Sequence, residues 1–362
     1  MAVRSNDHSV RTASARRAIA EAGLDALVVS QPANIRYLCG YSGSAGLLLV
    51  TARGSDFLTD FRYQEQVKRE VKGARCRIIR RDLFTDLAGL PGIRSLRKVG
   101  FESQHLPFER YDFLRRNLKA VIPTAGLVER LRQTKQAAEI AAIAAAAAVA
   151  DRAFAQIVRE IKPGMTERAI AARLDFLLKS LGADRPSFET IVGSGPNGAL
   201  PHARPGSRRV RQGDLIVLDF GAQRRGYCSD MTRTVAVGRP TDRQRHIYGI
   251  VRDAQLAGLK AVRAGVSGKA ADAAARGVIA AAGYGERYGH GLGHGVGLEV
   301  HELPRLGKLS DNVLAEGAVV TVEPGIYLPG WGGVRIEDLV MVTKGGCRIL
   351  SRSSKKLISI KA

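Results

Sequence analysis

The sequence predicts an α/β domain followed by an α+β domain assembled from two related αα-ββ halves. Three observations lead there. A chain of 362 residues exceeds the usual size of a single hydrophobic core, so two domains are expected. Residues 1–126 alternate short apolar runs with helical stretches, the pattern of a sheet covered by helices. Beyond them, Pro163-Gly-Met-Thr and Gly182 correspond to Ala264-Gly-Val-Ser and Gly283 at a constant offset of 101 residues. The domains are therefore drawn as 1–126 and 127–362, the second folding about a pseudo-twofold that brings two hairpins together.

Taken in order, Arg11 to Ala22 reads as a basic helix stopped by Gly23, and Leu24 to Ser30 as a short apolar strand. Further strands are expected at Leu47–Thr51, Asp56–Thr59, Cys76–Ile79 and Val99–Phe101, with helices at Tyr63–Val71 and Phe108–Leu118. From Thr134 to Ile161 the chain is Ala-rich with strong helix propensity, and Lys162-Pro163-Gly164 stops it. Thr166 is a good N-cap for the next helix, which ends at Gly182.

A formal net charge of +22 invites comparison with nucleic-acid or anionic-surface binders. The basic residues are nevertheless scattered, in short pairs such as Arg16-Arg17 and Arg208-Arg209, without aromatic interleaving, so nucleic acid is not expected as a partner. Four separated cysteines (Cys39, Cys76, Cys228, Cys347) form neither a disulfide framework nor a thiolate zinc motif, as suits a reducing cytoplasm. Met1 to Arg17 contains no apolar core of a signal peptide, and the Ala137–Ala150 stretch falls short of the ~20 residues of a membrane span. No membrane association is expected.

Chemistry is concentrated in the second domain. Leu215–Gly221 is an apolar strand holding Asp219, and Tyr227–Val237 a strand holding Asp230. A turn centred between Arg224 and Arg225 would set the two aspartates directly opposite each other, side chains ~5 Å apart. Val319–Glu323 and Val334–Val342 around a turn centred on Gly330 would do the same for Glu323 and Glu337. Opposed like charges destabilise a strand pair and need an offset. Salt bridges to the abundant arginines are one; two divalent cations, which balance four carboxylates, are the other.

Between the hairpins lies Gly289 to Glu302, Gly-His-Gly-Leu-Gly-His-Gly-Val-Gly-Leu-Glu-Val-His-Glu. So many glycines make poor helix and poor strand, so a loop is expected that brings backbone and imidazoles close to something small. His294, flanked by Gly293 and Gly295, is the natural fifth ligand. An oxygen-dominated set with one imidazole favours Mn²⁺ or Co²⁺ over a structural Zn²⁺, although zinc also accepts such donors.

Five segments resemble, in order, the ligand motifs of the "pita-bread" metallopeptidases, which include methionine aminopeptidase, aminopeptidase P and prolidase. They are Val217-Leu-Asp-Phe-Gly, Ser229-Asp-Met-Thr-Arg-Thr, Gly291-Leu-Gly-His-Gly-Val-Gly-Leu, Thr321-Val-Glu-Pro-Gly-Ile-Tyr and Val334-Arg-Ile-Glu-Asp. The resemblance spans residues 131–345, and the preceding α/β domain, with Asn34-Ile-Arg-Tyr-Leu and Thr59-Asp-Phe-Arg-Tyr, looks like the Pro-directed branch.

The resemblance implies that Asp219 holds one metal, His294 and Glu323 the other, and that Asp230 and Glu337 bridge both. It further implies that His202 steadies the substrate, His301 contacts the scissile peptide, His290 lines the proline pocket and Arg335 binds substrate or groups behind the ligands; Tyr327 matches less closely. Glu323 would shuttle the proton to the leaving nitrogen. The implied activity is Xaa-Pro aminopeptidase, acting on proline-containing peptides through water activated between two divalent ions, in a homodimer. Prolidase is the alternative; methionine aminopeptidase and a non-catalytic pita-bread binding protein are further ones, the last disfavoured by the intact ligand set.

Overall fold

The basic amino-terminal segment forms α1 (His8–Glu21), the first element of the computed structural model, which describes residues 8–361. Met1 to Arg17, read above as lacking a signal-peptide core, lies partly outside the described residues. Next come β1 (Ala26–Val29), α2 (Pro32–Cys39), β2 (Leu47–Thr51), β3 (Ser55–Thr59), α3 (Gln64–Glu70), β4 (Arg75–Ile78), α4 (Leu83–Ala88), β5 (Val99–Glu102), α5 (Phe108–Asn117), β6 (Val121–Thr124) and α6 (Leu127–Arg132). The strands make one mixed sheet in the order β4-β3-β2-β1-β5-β6. β1 is buried along its whole length because it lies between antiparallel β2 and parallel β5. At the β4 edge, Arg75 and Arg77 both pair with Asp56, and charge there discourages further strand addition.

Residues 8–132 and 133–361 are separate compact units, so α6 belongs with the first and the division falls later than 126. Side-chain bonds explain this: Tyr37 Oη donates to the Leu131 carbonyl (3.2 Å) and Arg132 Nη1 to Asn34 Oδ1 (2.8 Å).

The second unit opens with α7 (Ala137–Glu160) and α8 (Glu167–Ser180). Because α7 continues past Ala150, it is long and apolar enough by composition to cross a bilayer. Its Ile143, Ala146, Ala150, Ala153 and Ile157 are buried, and the last four belong to the unit's core. The strands β7 (Arg185–Pro186), β8 (Ile191–Ser194), β9 (Leu215–Phe220), β10 (Ala222–Arg224), β11 (Tyr227–Cys228) and β12 (Met231–Val237) complete the first half. The second half is α9 (Asp242–Ala261), α10 (Gly268–Ala281), β13 (Gly293–Gly295), β14 (Glu302–Leu306), β15 (Val319–Val322), β16 (Gly325–Leu328), β17 (Gly332–Arg335), β18 (Asp338–Val342) and β19 (Cys347–Ile349). A final strand, β20 (Ile358–Ile360), returns to pair with β12.

The internal correspondence is physical. Gly164 and Gly265 both have left-handed φ (89° and 83°), as do Gly182 and Gly283 (102° and 84°). Thr166 Oγ1 caps α8 by accepting the Ala169 amide, and Ser267 Oγ caps α10 by accepting that of Ala270. Each half has its own core, one around α7, α8, β9, β10 and β12, the other around α9, α10 and β15–β18, the latter joined by Leu215 and Ala236 of the first half.

The second hairpin has the expected register, with Val322 opposite Asp338 and Gly325 opposite Arg335, which sets Glu323 across from Glu337 at the interruption between strands. The first hairpin does not. Arg225 and Gly226 occupy its turn with φ of 50° and 80°, so the turn centres one residue later than expected. Asp219 consequently faces Thr232, and Asp230 is a diagonal neighbour two residues away, still on the same face.

Candidate metal centre and substrate cavity

The Gly-rich segment is not only a loop: Gly293–Gly295 is a strand inside a five-stranded sheet, between β14 and β15. A side chain at Gly293 would lie 2.1 Å from the Thr321 carbonyl oxygen, and one at Gly295 2.2 Å from that of Leu303. Glycine is thus needed for close strand approach, and β13 thereby carries His294 into the centre of the unit.

Asp230, His294 and Glu337 present ligand atoms within 4.8 Å of one another, all buried. His294 Nε2 lies 3.2 Å from Glu323 Oε1 and 3.6 Å from Asp230 Oδ2, while its Nδ1 is 3.1 Å from the Gly295 carbonyl. With Nδ1 donating to that carbonyl, Nε2 aims at two carboxylates. Asp219 completes the group, held by Arg335 Nη2 at 2.6 Å. All five expected ligands therefore meet, together with the expected Arg335.

The salt-bridge explanation of these acids covers only part of their charge. Arg335 is the one arginine or lysine pairing with any of the four among the described residues. Asp219 Oδ1, Asp230 Oδ1 and Glu337 Oε1 are buried without hydrogen-bond partners, and orphaned anionic oxygens are costly. Burial, and then the neighbouring carboxylates, push Asp230 and Glu337 well above the ordinary carboxyl range. Burial also raises Asp219 against the pull of Arg335. At Glu323 burial works upward too, but the hydrogen bond and charge of His294, with His290 and Arg335, outweigh it and hold the carboxyl at about 2. Hard oxygen donors plus one imidazole nitrogen, converging with unused lone pairs, fit a divalent cation.

Two threonines not anticipated from the sequence steady the acids. Thr232 Oγ1 donates to Glu337 Oε2 (2.7 Å) and accepts from Arg335 Nε (3.0 Å), while Thr321 Oγ1 donates to Glu323 Oε1 (2.9 Å). Each lies two residues from a ligand, so strand periodicity was the available signal.

Asp219, Asp230, His294, Glu323 and Glu337 all line a cavity of about 590 Å³. His202, exposed on the loop after the short turn Gly195–Ala199, lines it, as do His290 and His301. The His301 ring is 4.2 Å from that of His294; desolvation, then that neighbour, lower it to about 4. His290 Nε2 is 2.8 Å from Tyr327 Oη, which accepts from Arg335 Nη1 at 2.8 Å, so Tyr327 links His290 to Arg335. Burial pushes Tyr327 up to about 12, leaving its hydroxyl protonated to donate to His290. Arg204 and Arg305 also line the cavity and were missed, because nothing local in the sequence marks a cation that folding turns inward.

An α/β domain ahead of a two-halved domain with a buried carboxylate–imidazole centre defines a metal-dependent hydrolase. The chain belongs to metallopeptidase family M24, which residues 141–344 match, and residues 11–134 match the Creatinase/Prolidase N-terminal domain. It is 39% identical over 338 residues to an Xaa-Pro dipeptidase of Pyrococcus horikoshii, covering 92% of this chain and 95% of that one. Among solved structures, the Xaa-Pro dipeptidase from Bacillus anthracis superposes with a TM-score of 0.95 at 42% identity, covering 97% of this chain and 99% of the other. The X-Pro aminopeptidase from Thermotoga maritima MSB8 gives 0.88 at 36% identity, covering 95% and 100%.

Proposed function

We propose that the protein is an Xaa-Pro dipeptidase that uses two divalent ions, Mn²⁺ foremost, held by Asp219, Asp230, His294, Glu323 and Glu337. This replaces the aminopeptidase reading of the sequence with its alternative, which the names of the similar dipeptidases support over nearly the whole chain. The observation that carries it is Arg305, which lines the cavity and forms no ion pair among the described residues. A dipeptide presents its free carboxylate one residue beyond the scissile bond, and a guanidinium recognises carboxylate well.

The ions would polarise the scissile carbonyl and make water a nucleophile at neutral pH. The chain's own groups do the rest. Glu323, ionised at neutral pH, accepts a proton and passes it to the leaving nitrogen of proline. His202 and the neutral imidazole of His301 donate hydrogen bonds to the developing oxyanion. His290, held by Tyr327, offers an apolar ring face to proline. Arg335 fixes Asp219 and Tyr327 together.

The test is hydrolysis of Ala-Pro, Ala-Pro-Ala and Ala-Ala-Ala by Mn²⁺-loaded protein, with a chelated control. Only Ala-Pro should be cut, and Arg305→Ala should raise its KM. Cleavage of Ala-Pro-Ala would restore the aminopeptidase reading, and no cleavage of any peptide with metal bound would leave a binding protein.

A further inference from the structure

Glu167, the first residue of α8, is fully buried yet is neither one of the four acids of the centre nor among the residues lining the cavity. Its Oε1 accepts from the Ser194 amide (2.8 Å), Ser194 Oγ (2.8 Å) and Asn197 Nδ2 (3.1 Å), and its Oε2 from Asn197 Nδ2 (3.1 Å) and the Gly206 amide (3.2 Å). Every one of these donors belongs to a single segment, 194–206, and Glu167 has no ion pair of its own among the described residues. That segment carries His202 and also Pro201, whose carbonyl accepts from Arg335 Nη1 (3.1 Å). A buried carboxylate is tolerated only while its hydrogen bonds are made, so any loop conformation that breaks them is strongly penalised. The carboxylate therefore ties both ends of the loop to the rigid start of a helix.

The pseudo-twofold supplies an internal comparison. In each half the first helical amides grip the loop beside the cavity: Glu167 N donates to Arg208 O (3.1 Å) and Arg168 N to Gly206 O (3.1 Å), while Gly268 N donates to Asn312 O (2.8 Å) and Lys269 N to Ser310 O (2.9 Å). Glu167 and Gly268 are separated by the same 101 residues as the repeat. At Gly268 any side chain would lie 2.2 Å from the Arg305 carbonyl oxygen, so the second half holds its loop by backbone alone. At this position a carboxylate occurs only in the half that delivers His202; the second half's buried Asp272, farther along α10, accepts instead from the Leu292 amide (2.9 Å).

We propose that Glu167 is a positioning residue that locks the 194–206 loop and thereby holds His202 over the reacting bond. This rests on the role given to His202 above. Glu167→Gln, which keeps the shape but turns one acceptor into a donor facing N–H groups, is expected to lower kcat on Ala-Pro by roughly tenfold to a hundredfold with little change in KM, the scale of a misplaced catalytic group. In a His202→Ala background the same substitution should cost nothing further. Amide hydrogen exchange in the chelated protein should quicken across 194–206 and stay unchanged across 305–312. Should Glu167→Gln fold poorly by thermal unfolding, Asn197→Ala, which removes donors from the loop side, carries the same cycle.

Equal losses in both backgrounds, unchanged kcat, or unchanged exchange at 194–206 would each overturn the proposal while leaving the dipeptidase reading intact. Full activity of His202→Ala would overturn both the role of His202 and that of Glu167.

Discussion

Four carboxylates share one guanidinium, and that imbalance governs how single residues behave. Glu323→Gln keeps the side-chain shape and an oxygen ligand but cannot carry a proton, so turnover should fall by about 10²–10⁴ with metal still bound. Measured kcat together with a metal titration checks this, and retained activity would remove Glu323 from proton transfer. The raised carboxyls of Asp230 and Glu337 have a second consequence. A folded acid whose pKa is raised holds its proton above the unfolded value, so it favours the metal-free fold at low pH and disfavours it as pH rises through the folded pKa. A cation that requires both groups ionised must displace those protons. Mn²⁺ titrations in buffers of different ionisation enthalpy should therefore reveal proton release, with affinity weakening as pH falls.

At the scale of elements, one residue in a turn decides which side chains meet. The sequence shows two strands joined near Arg224-Arg225-Gly226, and their apolar pattern does not fix the turn to a single position. Gly226 tolerates positive φ and Arg225 is forced into it, which moves the register and replaces the expected Asp219–Asp230 opposition with Asp219–Thr232. A non-glycine residue there is strained, so Arg225→Gly should stabilise the protein by roughly 0.5–1 kcal/mol, once the extra freedom of glycine in the unfolded chain is subtracted. A shift in the urea midpoint with unchanged slope would show it. In the second hairpin the loop Pro329-Gly330 left little choice of turn, and there the register was legible.

Across the whole catalytic unit, the two halves are joined where their hairpins meet. Arg233 is buried on β12, donates to the Thr232 and Glu337 carbonyls and forms a 2.6 Å ion pair with Asp338 on β18. Asp338 also accepts from Lys355 Nζ (2.6 Å) and Gln255 Nε2 (3.0 Å). Removing one partner of a buried pair costs about 3–5 kcal/mol, and because Lys355 would still neutralise Asp338, Arg233→Met should fall near the lower end. Chemical denaturation of the chelated protein measures this without the contribution of bound metal. A loss below about 1 kcal/mol would mean that the apolar cores alone hold the halves together.

Sequence alone determined the two-domain order, the 101-residue correspondence and the four acids and one imidazole that converge, because these are written in local chemistry: helix stops, caps, and polar residues spaced within otherwise apolar strands. His202, His290 and His301 line the cavity as the resemblance of their segments to the family's motifs implied. Only the tertiary structure decided that the Gly-rich segment enters a sheet as β13, since what excludes a side chain there is the backbone of Leu303 and of the more distant Thr321, brought alongside by strand pairing. The same holds for Arg305 facing the cavity and for Glu167 bonding a loop some thirty residues away. Contacts made by folding leave no periodicity in the chain, whereas the groups that fold around them do.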